Sequence, residues 1–326
     1  MLLVHKYGGT SVGSLERIEN VASRVAKARE AGDDLVIVVS AMSGETNKLI
    51  EYAEHFSTNP SKREMDILLS SGERVTASLL AIALQSKGCD AVAMTGRQAG
   101  IITDDLHTYA RIESINPAPI KAAIKEGKIV VVAGFQGINK EGNVTTLGRG
   151  GSDLSAVAIA GAIGADACEI YSDVDGIYTT DPRIEPKAKK IDMISYDEML
   201  EIASMGAKVL QNRSVELAKK LDIKLYAKSS FSDNEGTLIT KESNIMEQVL
   251  VSGVVLDKNQ ARVTLRNVSD KPGIAAEIFT KLAHENINVD MIIQNVGIDG
   301  STNLGFTVPQ NDLESAKRVI ESLSHN

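Results

Sequence analysis

Apolar positions change their spacing several times along the chain. Leu2–Tyr7 is a short apolar run that reads as a strand. Ile18, Val21, Ala22 and Val25 then recur at helical spacing behind Ser14, whose hydroxyl can cap the first turn. Leu35–Ser40 has an unbroken aliphatic run before its serine, the pattern of a strand covered on both faces. A long helical pattern follows Pro60 through Leu68, Leu79 and Leu84. Ala91–Met94 and Lys128–Ala133 read as strands, Asp153–Ile163 as an Ala-rich helix and Ala167–Ser172 as a strand. Helices follow around Tyr196–Ser204 and Val209–Leu221, then a strand at Lys224–Lys228. Strands alternating with helices predict an α/β fold with a mainly parallel sheet between two helical layers.

Near Lys241 the pattern changes. Residues 242–248 are mostly polar and read as a connector between domains 1–241 and 249–326. The second domain shows strands at Val249–Leu256 and Ala261–Val268, a helix Gly273–Glu285, strands Val289–Val296 and Asn303–Val308, and a helix Leu313–Leu323. From Ala261 this is β-α-β-β-α, a ferredoxin-like α+β order without its last strand. The expectation is that the natural protein continues beyond Asn326, or that another segment or chain supplies that strand.

Composition narrows the partners. A chain of 326 residues allows about two domains. A net charge of −8, 4% aromatic residues and no tryptophan argue against nucleic-acid and membrane-surface binding. The two cysteines, Cys89 and Cys168, have neither disulfide-framework nor zinc spacing. With no signal-peptide pattern and no apolar run of about 18 residues, the expected location is the cytoplasm.

Three segments concentrate chemistry. Lys6-Tyr-Gly-Gly-Thr-Ser-Val-Gly13 joins a strand to a helix, where glycines let backbone N–H groups approach an anion and the helix dipole assists. It is no Walker loop. Gly9-Thr-Ser11-Val-Gly13 also fits the nucleophile-elbow pattern of serine hydrolases. An elbow normally follows several strands, however, and His107, His284 and His325 lack an obvious partner. Thr145-Thr-Leu-Gly-Arg149-Gly-Gly-Ser152-Asp153 enters the Ala-rich helix and sets a guanidinium among anion-accepting backbone. Tyr171-Ser-Asp173-Val-Asp-Gly176-Ile-Tyr178-Thr-Thr-Asp181-Pro-Arg183 follows a strand, at the sheet edge where α/β proteins bind ligands. Its aspartates lack the rest of a calcium loop. Each segment also has a plainer reading, as a tight turn, a capped helix start or a polar surface loop.

Taken together, KYGGTSVG, SAMSGETN at 40–47, LLSSGERV at 68–75, TTLGRGGSD at 145–153, YSDVDGIYTTDPR at 171–183 and GAKVL around Lys208 resemble the aspartate kinases of the amino-acid kinase family. Residues 249–326 are similar to that family's ACT regulatory region, with one incomplete module in place of the usual two. The resemblance implies the three-layer αβα amino-acid kinase fold followed by a ferredoxin-like ACT module. It implies phosphoryl transfer from MgATP to the side-chain carboxylate of L-aspartate, giving 4-phospho-L-aspartate, the first step of lysine, threonine and methionine biosynthesis. The acceptor is already ionised near neutral pH, so positioning and positive charge must carry catalysis.

By the same resemblance Lys6, Asp153 and Lys208 are the catalytic group, with Asp153 orienting Lys6. ATP falls to Lys6, Gly8, Gly9, Ser172, Asp173, Tyr178, Arg183 and Lys208, with Gly8 and Gly9 donating N–H groups. Aspartate falls to Ser40, Thr46, Glu73, Arg149, Gly150, Gly151 and Ser152; Arg149 takes its α-carboxylate and Glu73 its ammonium. Mg²⁺ accompanies ATP without an assigned protein ligand. Asp270, Gly273, Ile274, Ala275, Asn288, Val289, Asp290 and Gln294 form the expected effector site for lysine, threonine or both, and the ACT region is expected to form homo-oligomers. Two alternatives stay open: a kinase of another small acid, and a non-catalytic amino-acid-binding regulator.

Overall fold

A computed structural model of the chain describes residues 1–205, 209–241, 253–269, 273–285, 287–296 and 301–324. It divides into two compact units, Met1–Val255 and Leu256–Asn326. The expected connector at 242–248 lies outside the described residues.

The first unit runs β1 (Leu2–Tyr7), α1 (Leu15–Glu30), β2 (Asp34–Val39), α2 (Glu45–Phe56), α3 (Lys62–Ser86) and β3 (Ala91–Met94). Then come β4 (Ile101–Thr103), β5 (Ile112–Ile115), α4 (Ala118–Lys125), β6 (Ile129–Ala133), β7 (Gln136–Ile138), β8 (Val144–Thr146) and α5 (Gly151–Ile163). It ends with β9 (Ala167–Ser172), β10 (Ile177–Tyr178), β11 (Lys190–Ile191), β12 (Met193–Ser195), α6 (Tyr196–Ser204), α7 (Asn212–Leu221), β13 (Leu225–Ser229) and β14 (Thr237–Thr240).

The main sheet has the order β12-β14-β13-β9-β1-β2-β6-β3, and only the β13–β14 pair is antiparallel. The aliphatic runs of β2 and β6 lie at its centre, buried on both faces. Alternation along β1 sends Val4 to a core shared with Ala156 and Val157 of α5, and Leu3 and Tyr7 to one shared with Val21 and Val25 of α1 and Leu80 of α3. The Ser14 hydroxyl accepts from the Arg17 N–H at 3.2 Å and starts α1. Helix α5 is apolar almost all round because it is buried almost all round. Helix α3 is, by length and composition, apolar enough to span a membrane, but half of its apolar stretch is buried within the protein.

The short elements depart from the pattern-based expectation. Helix α2, helix α4 and a second sheet, β5-β4-β7-β8, were not visible in the hydrophobic spacing. Strands of three or four residues are too short to establish a period. Helix α7 begins at Asn212, later than the expected Val209, because the Gln211 side chain accepts from the Ser214 N–H and fixes the start there. The expected strand Val249–Leu256 is corrected: its described part, residues 253–256, is irregular, and the Val254 N–H goes to the Thr179 carbonyl at 2.7 Å.

The second unit runs β15 (Gln260–Ser269), α8 (Ile274–His284), β16 (Ile292–Val296), β17 (Ser301–Pro309) and α9 (Leu313–Ser324). Its antiparallel sheet has the order β15-β17-β16, and its core gathers Ile278, Leu282, Leu304, Phe306 and Val308. This is the expected β-α-β-β-α order.

Candidate active site

The C-terminal ends of parallel strands β1, β2, β6 and β9 face one another across the top of the main sheet, the edge at which open α/β sheets bind ligands. Lys6 points toward α5, and its Nζ lies 2.6 Å from Oδ1 of Asp153 in that helix's first turn. Both side chains are only 11% exposed, so this is a nearly buried pair rather than the solvent-facing lysine of a cleft. In such surroundings the attraction is strong, and loss of either partner strands the other.

The glycine loop behaves differently from its expected role at Gly8. The Gly8 N–H is already donated to the Tyr171 carbonyl, at 3.0 Å, so it is not free for a phosphate. A Cβ on Gly9 would stand 3.0 Å from the Ala41 carbonyl, so glycine there lets the β1 loop close on the β2 loop. Ser11 is buried, and its hydroxyl accepts from Ser230 at 2.8 Å. That excludes the nucleophile-elbow reading.

The loop after β2 carries Ser40 and leads to Thr46 in α2. It is held from below by α3: the Glu73 Oε1 accepts from the Ala41 N–H at 3.0 Å. The other oxygen, Oε2, is buried without a hydrogen-bond partner. Burial pushes the Glu73 carboxyl up to about 7. A carboxylate with one oxygen anchored and one unsatisfied is suited to receive a cation.

Arg149 stands exposed between two glycines in the left-handed region, Gly148 (φ +76°) and Gly150 (φ +73°). A Cβ at Gly150 would also lie 2.3 Å from Cγ of Gln211. Arg149 makes no ion pair among the described residues. Ser152 and Gly151 are buried at the start of α5. Sequence reading missed the supports of this loop. Arg213 donates to the carbonyls of Leu147 (2.7 Å) and Ala110 (3.1 Å), and Asp66 anchors the neighbouring segment around His107. Neither signals itself, since both sit in ordinary helical patterns.

The expected nucleotide side is less gathered. Asp173 is exposed, and the Ser172 hydroxyl accepts from the Val174 N–H at 3.2 Å. The Tyr178 hydroxyl donates to Asp175 at 2.8 Å and holds that carboxyl below the usual aspartate range. Arg183 is clamped by Asp181 through Nε and Nη2 at 3.0 and 2.8 Å. Lys208 lies outside the described residues. In the second unit Gly273 precedes α8 with φ +99°, Ile274 and Ala275 begin that helix, and Asn288, Asp290 and Gln294 are exposed, with Val289 half-buried. Asp270 lies outside the described residues.

The amino acid kinase family model matches residues 1–229, and an ACT domain model matches residues 265–323. The chain belongs to the amino acid kinase family. It is 56% identical over 325 residues to an aspartokinase of Helicobacter pylori strain J99, covering 98% of this chain and 80% of that protein. It is 52% identical over 322 residues to an aspartate kinase of Pseudomonas putida, covering 98% and 78%. Among solved structures, aspartate kinase from Synechocystis matches at a TM-score of 0.69 and 44% identity, covering 98% of this chain and 54% of that one. E. coli aspartokinase III in complex with aspartate and ADP matches at 0.77 and 28%, covering 95% and 79%. Within the family, the chain is an ATP-dependent aspartate kinase.

Proposed function

We propose that the groups at the top of the main sheet divide the work of phosphorylating aspartate. Lys6 neutralises the phosphoryl group in flight, with Asp153 fixing its ammonium, and Lys208 adds a second charge. Arg149 takes the α-carboxylate of aspartate. Glu73 takes its ammonium, and Ser40, Thr46, Gly150, Gly151 and Ser152 hold the rest. Ser172, Asp173, Tyr178 and Arg183 serve the nucleotide, with Gly9 as a backbone donor from the glycine loop. Two anions must approach each other, so fixed positive charge and orientation carry the rate. The observation that carries this reading is the unpartnered, buried Oε2 of Glu73, which an amino-acid ammonium would satisfy.

A divalent cation, Mg²⁺ by our reading, neutralises the ATP phosphates. No cluster of three or more carboxylate, histidine or cysteine side chains suited to an ion occurs among the described residues. By our reading the ion is held by phosphate oxygens and water. We place residues 1–241 as the catalytic domain and 249–326 as the ACT region, acting in the cytoplasm. Homo-oligomerisation through the ACT region is supported by exposed Met291 and by exposed Ile292 and Ile293 of β16, a strand with one edge unpaired among the described residues. Lysine or threonine is the proposed effector.

ADP release with aspartate, with glutamate and with no acceptor, combined with hydroxylamine trapping of the acyl phosphate, tests the acceptor. Release dependent on aspartate together with a trapped hydroxamate is expected. Equal release without an acceptor would remove Glu73 and Arg149 from acceptor binding.

A further inference from the structure

We propose that the cleft between α1 and the segment following β13 is a separate ligand site, for a small molecule carrying a phosphate monoester. The cleft lies on the α1 face of the sheet, whereas Lys6 and Asp153 lie on the α5 face. Its volume of about 460 Å³ is within the range of about 300–1,000 Å³ typical of small-molecule sites.

Charge defines the ligand. Arg17, Arg24 and Lys27 line the cleft, and Asp233 is its one carboxylate, so positive charge exceeds negative by two. A phosphate monoester carries about −1.5 to −2 near neutral pH. Positions 24 and 27 are three apart on α1 and therefore share one face of the helix. Lys27 is exposed and has no ion pair among the described residues. Arg24 contacts Asp233 at 3.1 Å, but Asp233 is 92% exposed, so an incoming dianion displaces it at little cost. Arg24 is otherwise pre-set: it donates to the Ser232 carbonyl at 2.9 Å and lies over the Tyr171 ring. The phosphate therefore falls between Arg24 and Lys27.

The body of the ligand follows from the other lining groups. Arg17 lies seven residues before Arg24, about 10 Å along the helix axis, so a bare phosphate cannot engage both ends. Between them the cleft offers Asn20, Ser23 and the Phe231 ring, which suits a hydroxylated carbon skeleton. Arg17 also donates to the Thr10 carbonyl at 2.6 Å, which joins the cleft to the glycine loop of the kinase.

Titration calorimetry with glucose 6-phosphate as the probe tests the site on the full chain. One binding event is expected. Lys27→Glu, at an exposed position, is expected to weaken it at least tenfold and to leave kcat for aspartate phosphorylation without sugar phosphate unchanged. Arg24→Gln is expected to weaken it similarly, with its thermal midpoint measured alongside. No binding to the wild type at millimolar probe, or unchanged affinity in Lys27→Glu, overturns the site. Citrate binding as tightly as glucose 6-phosphate overturns the phosphate assignment.

Discussion

His107 Nδ1 lies 2.6 Å from Oδ2 of Asp66, a carboxylate with no solvent exposure. The same carboxylate accepts from the Thr108 N–H at 3.0 Å and from the Thr146 hydroxyl at 2.5 Å. Asp66 belongs to α3, which also carries Glu73, so one helix anchors both the loop after β2 and the segment around His107. Thr108 sits at φ +68°, a conformation a β-branched residue adopts only when its surroundings hold it there. Next to it the Tyr109 ring packs so closely on Gly148 that a Cβ there would stand 2.7 Å from Cδ2. Asp66 thus fixes the ground on which the Arg149 loop rests.

Asp66→Ala leaves the buried Thr146 hydroxyl without its acceptor, a cost of about 1–3 kcal/mol before the other lost bonds are counted. The expected outcome is a denaturation midpoint clearly below wild type and a raised aspartate KM. His107→Ala removes only a partly exposed partner and is expected to be much milder. Urea unfolding of both variants separates them; equal stability of Asp66→Ala and wild type would refute the anchoring role.

Lys6→Ala is expected to lower kcat at least about a hundredfold, the scale for losing one preorganised charge donor. Because Lys6 and Asp153 are both nearly buried, the substitution also leaves an unpaired carboxylate. Breaking such a pair costs about 3–5 kcal/mol. The pair is therefore better removed together. Lys6→Met with Asp153→Asn is expected to recover most of the lost stability and none of the activity. Recovery of turnover in the double variant would show that Lys6 is structural.

If Glu73 receives the aspartate ammonium, as proposed, aspartate binding depends on pH. The Glu73 carboxyl is raised to about 7 by burial, above the ordinary 4.5. The protonated form is the one the fold favours, so its stabilisation is full below about 4.5 and is lost as pH rises through about 7. The substrate ammonium needs the ionised form. The aspartate KM is therefore expected to rise as pH falls below 7, by up to about tenfold per unit, while the ATP KM stays flat. Glu73→Gln should abolish that slope. Initial rates at several aspartate concentrations between pH 5.5 and 8.5 measure it.

The parts of the molecule legible from sequence share a physical reason. Leu35–Val39 and Ile129–Ala133 announced central parallel strands because burial on both faces demands unbroken aliphatics. The glycines around Arg149 announced a tight loop because left-handed backbone at Gly148 and Gly150 needs glycine. What stayed hidden depends on partners distant in sequence. Nothing local marks Asp66 as an acceptor for three donors, or Arg213 as a tie between two carbonyls. The Gly8 N–H looked like a phosphate donor because its competitor, Tyr171 O, comes from β9. Nothing near Lys6 in sequence signals its burial, because α5, which covers it, begins after residue 150.

Arg149 gives the sharpest division between the two substrates. It is exposed and flanked by glycines, and its side chain supports no other described part of the protein, so Arg149→Ala should fold as well as wild type. If it pairs with the aspartate α-carboxylate, its loss removes a charge-assisted, potentially bidentate contact that nucleotide does not share. The aspartate KM is expected to rise at least about tenfold, since such hydrogen bonds contribute roughly 1.5–3 kcal/mol, with the ATP KM nearly unchanged. Arg149→Lys keeps the charge but not the planar fork and should fall between the two. Steady-state kinetics with each substrate varied in turn decides the matter. Equal damage to both constants would move Arg149 to the nucleotide, and a selective rise in the ATP KM would exchange the two halves of the site.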